Sequence, residues 1–189
     1  MAAMLFVVMG GNDGPLPDFR RPRRRALWDR QGSGMKTILF VCTGNLCRSP
    51  LAEALLRKRL IAAGLDGQVT TRSVGVYALT GRAASEGAVL VAAERGADLS
   101  EHRARELTLA EVEAADIILV MEEAHRRSIF NLAPHQIHKV FLLSEMAGLH
   151  HDIEDPYGRP LSEYRRCADE IERLLDAGWP NIRRRLRLS

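Results

Sequence analysis

Three stretches of this chain are apolar at almost every position and too short for core helices: residues 37–41 (TILFV), 116–121 (DIILVM) and 139–143 (KVFLL). A strand with one face in water alternates polar and apolar residues. A run apolar throughout is covered on both faces, which is the situation of a strand in a parallel sheet. Residues 69–74 (VTTRSV) supply a fourth strand candidate. Helical patterns separate the strands. Residues 50–63 place Leu51, Ala54, Leu55, Lys58 and Ala62 at helical spacing before Gly64, and residues 84–95 are closed by Gly96. Thr108 and Glu111 form a capping box that opens a short helix. Residues 122–131 read as a helix stopping before Pro134. Leu161, Tyr164, Ala168, Ile171, Leu175 and Ile182 mark a long last helix, expected to be disturbed at Pro180. This order predicts a small doubly wound α/β domain, with a four-stranded parallel sheet and helices on both faces. The ligand site of such a sheet lies at the carboxyl ends of its strands.

The 189 residues suit one domain with a substantial core, and 46% hydrophobic with 27% charged residues is a globular composition. The net charge of +3 is uneven. Residues 1–34 carry six arginines (20, 21, 23, 24, 25 and 30) and three aspartates, and the remainder balances. The body is therefore not a general nucleic-acid binder. The tail, rich in Gly, Pro and Arg, reads as a disordered basic extension or an over-long start, with the domain covering residues 35–189. Its short apolar run lacks a preceding basic residue and makes a poor signal peptide. No run of 18 apolar residues predicts a membrane span. Three cysteines do not make a disulfide framework, which points to the cytoplasm.

Directly after the first strand stands VCTGNLCRSP, residues 41–50. Cys42 and Arg48 enclose five residues between strand and helix. A loop of that length can curl its N–H groups inward around an anion, with the positive end of the next helix behind it. Gly44 and Asn45 are the residue types best able to take the positive φ that such a curl needs. Pro50 suits the first helical turn. Arg48 offers a planar fork for two phosphate oxygens. A free thiol is mostly protonated at neutral pH, and the same inward N–H groups and Arg48 would favour its thiolate. The loop is not a Walker loop, because no G-x4-G-K-[ST] is present. A zinc site is disfavoured, since no second cysteine pair accompanies Cys42 and Cys47. No metal and no cofactor are expected. His150 and His151, adjacent in a polar loop, read as solvated, and Cys167 as a packing residue of the last helix.

The loop resembles the signature of the low-molecular-weight protein tyrosine phosphatases. The resemblance extends over residues 36–178 through Ser73, through residues 100–105 (SEHRAR) and through Asp155-Pro156-Tyr157. It implies the phosphotyrosine phosphatase I-like fold and a two-step hydrolysis of phosphotyrosine in phosphorylated proteins. Cys42 would attack phosphorus to give a phosphocysteine, and Asp155 would act as general acid and then base. Arg48 and the amides from Thr43 to Ser49 would hold the phosphoryl oxygens. Leu46, Tyr77 and Tyr157 would wall the pocket, and Ser49 would hydrogen-bond the thiolate. Ser73 and His102 would fix Asn45 from behind. Cys47 would pair with Cys42 under oxidation and protect it. The domain is expected to act as a monomer without membrane or nucleic acid.

A protein-arginine phosphatase of the same family is the nearest alternative. The short segment after Ser73 (VYALTGRA) and the Asp-Pro-Tyr-Gly ending of the acid loop lean towards it. Leu46 leans the other way, since the arginine branch has threonine there and an apolar side chain suits a phenyl ring. An arsenate reductase would need relay cysteines, and none occurs between Cys47 and Cys167. A phosphocysteine carrier would not need Arg48 and Asp155 together. A non-catalytic anion-binding module acting through the basic tail is the reading from another class.

Overall fold

The structure is a computed structural model and describes residues 34–188. The expectations for the basic tail lie outside them. Four strands, β1 (Lys36–Cys42), β2 (Val69–Gly75), β3 (Ile117–Val120) and β4 (Val140–Leu142), form one sheet in the order β2-β1-β3-β4. Every pairing is parallel, with Cys42 opposite Gly75 and Val41 opposite both Val74 and Val120. The helices are α1 (Arg48–Ala62), α2 (Glu86–Glu94), α3 (Leu109–Ala114), α4 (Glu123–Leu132), α5 (Leu143–Met146) and α6 (Leu161–Leu186). The chain leaves β1 for β2 on one side and returns to β3 on the other. The carboxyl end of β1 is therefore the switch point, and Cys42 stands at it.

The uninterrupted apolar runs are explained by two cores. Ile38, Phe40 and Cys42 of β1, with Ile117 and Leu119 of β3, face a core built with α1, α2, α5 and α6. Leu39, Val41, Ile118 and Val120 face a second core, which includes Val112 of α3 and Ile129 of α4. Successive side chains of β1 and β3 enter opposite cores, so neither face can be polar there. Burying each Leu, Ile or Phe contributes about 1.5–3 kcal/mol. The turn after α1 follows from Gly64, whose φ of 67° allows Leu65 N–H to reach the Leu60 carbonyl and Gly64 N–H that of Ile61.

Two elements differ from the sequence reading. The last helix runs through Pro180 without a break. Pro180 and Asp176, whose carbonyl loses its donor, are both exposed on the solvent side of the helix. Ile182 and Leu186, buried beyond the proline, hold the helix to its course. The fourth strand is shorter than residues 139–143, because Leu143 already opens α5 and residues 134–139 form a 3-10 turn. Among the described residues no helix is long and apolar enough to cross a membrane.

Candidate active site

The loop after β1 is shaped by what its carbonyls bond to. The carbonyls of Cys42, Thr43, Gly44 and Leu46 accept from Val76, Tyr77, Leu79 and Ser85, at 2.9–3.3 Å. That of Asn45 accepts from His102 Nε2 at 2.8 Å. Every peptide here is trans and planar, so each N–H points opposite to the carbonyl preceding it. Five consecutive amides, Thr43 to Cys47, thus turn away from the flanking segments that hold the carbonyls. Gly75 permits this approach: a Cβ there would lie 2.5 Å from the Thr43 carbonyl and 2.9 Å from Asn45 N. Asn45 takes the positive φ of 56°. Gly44 does not, contrary to expectation, because one left-handed residue suffices to reverse the chain.

Asn45 is wholly buried, and both polar atoms of its side chain are bonded. Its Nδ2 donates to Ser49 Oγ and Ser73 Oγ, both at 3.0 Å, and its Oδ1 accepts from Arg105 N at 2.8 Å. Ser73 Oγ donates in turn to Glu53 Oε2 at 2.6 Å. Ser49 Oγ, already accepting from Asn45, lies 2.9 Å from Cys42 Sγ and 3.3 Å from the Val74 carbonyl. Ser49, Ser73 and His102 thus bond to Asn45, and Ser49 also lies beside the Cys42 sulfur. Burial pushes the His102 imidazole below its ordinary range.

Arg48 opens α1 with its side chain 1% exposed. Nη1 donates to Glu122 and to the Ile153 carbonyl at 2.9 Å, while Nη2 donates to Asp155 Oδ2 at 2.7 Å and Thr43 Oγ1 at 3.3 Å. Burial works against the charge, and Glu122 and Asp155 more than offset it. Its Nε has no acceptor among the described residues, an uncompensated buried donor of the kind that costs about 1–3 kcal/mol. Ile153 N–H donates to the Met121 carbonyl at 2.8 Å, which fastens the acid loop to the end of β3. Asp152 and Glu154, beside Asp155 in sequence, have partners of their own in Glu123 N and Arg159.

All three cysteines are free and buried. Burial pushes the Cys47 thiol up to about 11, and Ser85 Oγ at 3.0 Å is its near neighbour. Burial likewise raises Cys167 to about 12 within the α6 core. His151 pairs with Glu170 at 2.8 Å on the surface.

Cys42, Thr43, Leu46, Asp155, Tyr77 and Tyr157 come together on one cleft of about 240 Å3, with Gly44 and Cys47 also on its wall. Tyr77 and Tyr157 are 75% and 57% exposed, so their rings form a rim open to an incoming side chain. A larger cleft of about 410 Å3 on the other side of Asp155 is walled by charged residues such as Arg159 and Arg166 of the α6 region, without Cys42. Glu53, Glu122 and His125 bond to Ser73, Arg48 and Thr43 in turn and were not singled out from sequence, whereas Arg105 closes the SEHRAR segment read there. For Glu122 and His125 a signal existed: they follow β3, whose carboxyl end flanks the switch point.

The fold and loop define a parallel α/β protein whose first strand runs into a tightly curled loop beginning at a buried cysteine. A family model described as low molecular weight phosphotyrosine protein phosphatase matches residues 37–186, and the chain belongs to that family. The probable low molecular weight protein-tyrosine-phosphatase EpsP of Ralstonia nicotianae is 44% identical over 149 residues, 79% of this chain and 97% of its own. The protein-arginine-phosphatase of Geobacillus stearothermophilus is 39% identical over 140 residues, 74% of this chain and 90% of its own. The solved low molecular weight protein tyrosine phosphatase from T. tengcongensis superposes with a TM-score of 0.72 at 41% identity, covering 75% of this chain and 96% of that one. The chain is accordingly a hydrolase of the protein-phosphatase class.

Proposed function

We propose that this phosphatase hydrolyses phosphotyrosine in proteins through a phosphocysteine on Cys42. The observation that carries the reading is the shared cleft: Cys42 Sγ, 2.9 Å from Ser49 Oγ, and Asp155 both open onto it. In the first step the Cys42 sulfur attacks phosphorus in line, and the bond from phosphorus to the tyrosine oxygen breaks. Asp155 gives its proton to that oxygen, because a phenolate leaves poorly unaided. In the second step water attacks the phosphocysteine and Asp155 takes its proton. The sulfur–phosphorus bond breaks, returning the thiolate and releasing phosphate. The inward amides and the free Arg48 Nε supply donors for the oxygens over which charge spreads. Asp155 accepts from Arg48 Nη2, so an arriving phosphoryl group competes for that donor and frees the carboxyl for the leaving oxygen.

Leu46 supports an aromatic substrate side chain, since its apolar surface packs on a ring and offers a guanidinium nothing to bond, while the two rim tyrosines add area for stacking. The likeness to a protein-arginine-phosphatase supports the second reading, hydrolysis of phosphoarginine by the same steps. The test is phosphate release from a phosphotyrosine and a phosphoarginine peptide side by side, with Cys42→Ser as control. The expected outcome is faster release from phosphotyrosine, lost in the control. Preference for phosphoarginine would sink the pocket reading and leave the chemistry standing. Undiminished release by Cys42→Ser would sink the chemistry.

A further inference from the structure

Thr43 and His125 lie far apart in sequence, yet Thr43 Oγ1 is 3.0 Å from His125 Nε2. The imidazole is 2% exposed. Its other nitrogen, Nδ1, lies 3.1 Å from the main-chain nitrogen of Glu122. A main-chain N–H can only donate, so Nδ1 must present its lone pair. A neutral imidazole carries one ring N–H, which is therefore on Nε2, and Nε2 donates to Thr43 Oγ1. Arg48 Nη2 donates to the same oxygen at 3.3 Å. A hydroxyl has two lone pairs and one hydrogen. Both lone pairs of Thr43 are taken, so its hydrogen is free for a third partner. Thr43 lines the cleft that holds Cys42 and Asp155.

We propose that His125 is a positioning residue that holds the Thr43 hydroxyl as a hydrogen-bond donor to the phosphoryl group over Cys42. The inference rests on the phosphocysteine reading above. The ring is kept neutral by burial, which pushes it down to about 4; Arg48 acts in the same direction and Glu122 against it. The other charged groups facing it are Asp152 and Asp155 of the acid loop. A protonated ring would set Nδ1–H against the Glu122 N–H, so the neutral form and the hydrogen bond at the start of α4 require each other. A donor aimed at charge that grows in the transition state raises kcat more than it lowers KM.

Two measurements decide the proposal. In nitrogen-15 spectra of the wild-type imidazoles, with and without inorganic phosphate, His125 should carry its proton on Nε2 at neutral pH. It should remain neutral to about pH 5. A proton on Nδ1, or titration near 6.5, overturns the proposal, and neither result depends on turnover. Kinetics on a phosphotyrosine peptide supply the second measurement. His125→Gln keeps a donor near the Nε2 position, whereas His125→Asn keeps only the acceptor for Glu122. The Gln variant should retain kcat within about threefold, and the Asn variant should lose about tenfold or more with KM little changed. Thr43→Val should match the Asn variant, and combining it with His125→Asn should add nothing. Losses that multiply, or a Gln variant as poor as Asn, would mean that His125 only packs. Turnover independent of Cys42 would refute the phosphocysteine reading, while the spectra would still decide the tautomer.

Discussion

Asn45 carries two separable duties, a left-handed backbone and an amide bonded at both ends. Replacing it by alanine removes both. Alanine at positive φ costs about 1–2 kcal/mol, and stranding Ser49, Ser73 and the Arg105 N–H costs about 1–3 kcal/mol each where water cannot reach them. Glycine keeps the backbone and loses only the amide. Urea unfolding should therefore find Asn45→Ala less stable than Asn45→Gly by about 1 kcal/mol, with both well below wild type. Equal stability of the two variants would show that the positive φ is not a constraint. That Asn45 needed positive φ was legible in its residue type. That Gly44 did not was illegible, because residue types say what is permitted and not how often it is used. Ser73 and His102 were reached only through the family resemblance. Glu53 had no local mark, and Glu122 and His125 only their place after β3, since their partners Ser73, Arg48 and Thr43 lie 20, 74 and 82 residues away.

Among the elements, the strands were the most readable, because a strand buried on both faces cannot disguise its composition. β1 and β3 lie between the two cores and show uninterrupted apolar runs. The helices were readable where a glycine stopped them, as at Gly64, and less so where packing set the limits. α5 has four residues and no periodicity to detect. α6 continues past Pro180 because its buried face continues, a fact of tertiary packing that no local rule for proline contains. The acid loop lies between these cases. Its Asp-Pro pair was visible, but its attachment to Arg48 through the Ile153 carbonyl depends on the loop reaching across to β3.

At the scale of the whole molecule, the site includes two histidines that the fold keeps neutral to lower pH than the unfolded chain would, and this ties stability to pH. His125 sits near 4 in the folded protein against about 6.5 when unfolded, and His102 is shifted the same way. Between those values the unfolded chain binds more protons, so stability falls as pH drops from about 6.5 towards 4. The His125 contribution is on the order of 3 kcal/mol. The urea midpoint should fall across that interval, and by less in His125→Gln; an equal fall in both would remove His125 as a source. The fold itself was legible because it needs only the order of elements. The curled loop was legible because five residues between Cys42 and Arg48 leave few ways to join strand to helix. What faces that loop from β3 and the acid loop became visible only when the sheet brought them together. The central claim is that phosphate passes through the Cys42 sulfur. The most direct test is to mix Asp155→Asn with p-nitrophenyl phosphate, whose leaving group needs little protonation, quench rapidly, and examine the Cys42 peptide by mass spectrometry. The account predicts a phosphate adduct on Cys42 that forms quickly and decays slowly for want of a base; phosphate release with no adduct on that peptide would contradict it.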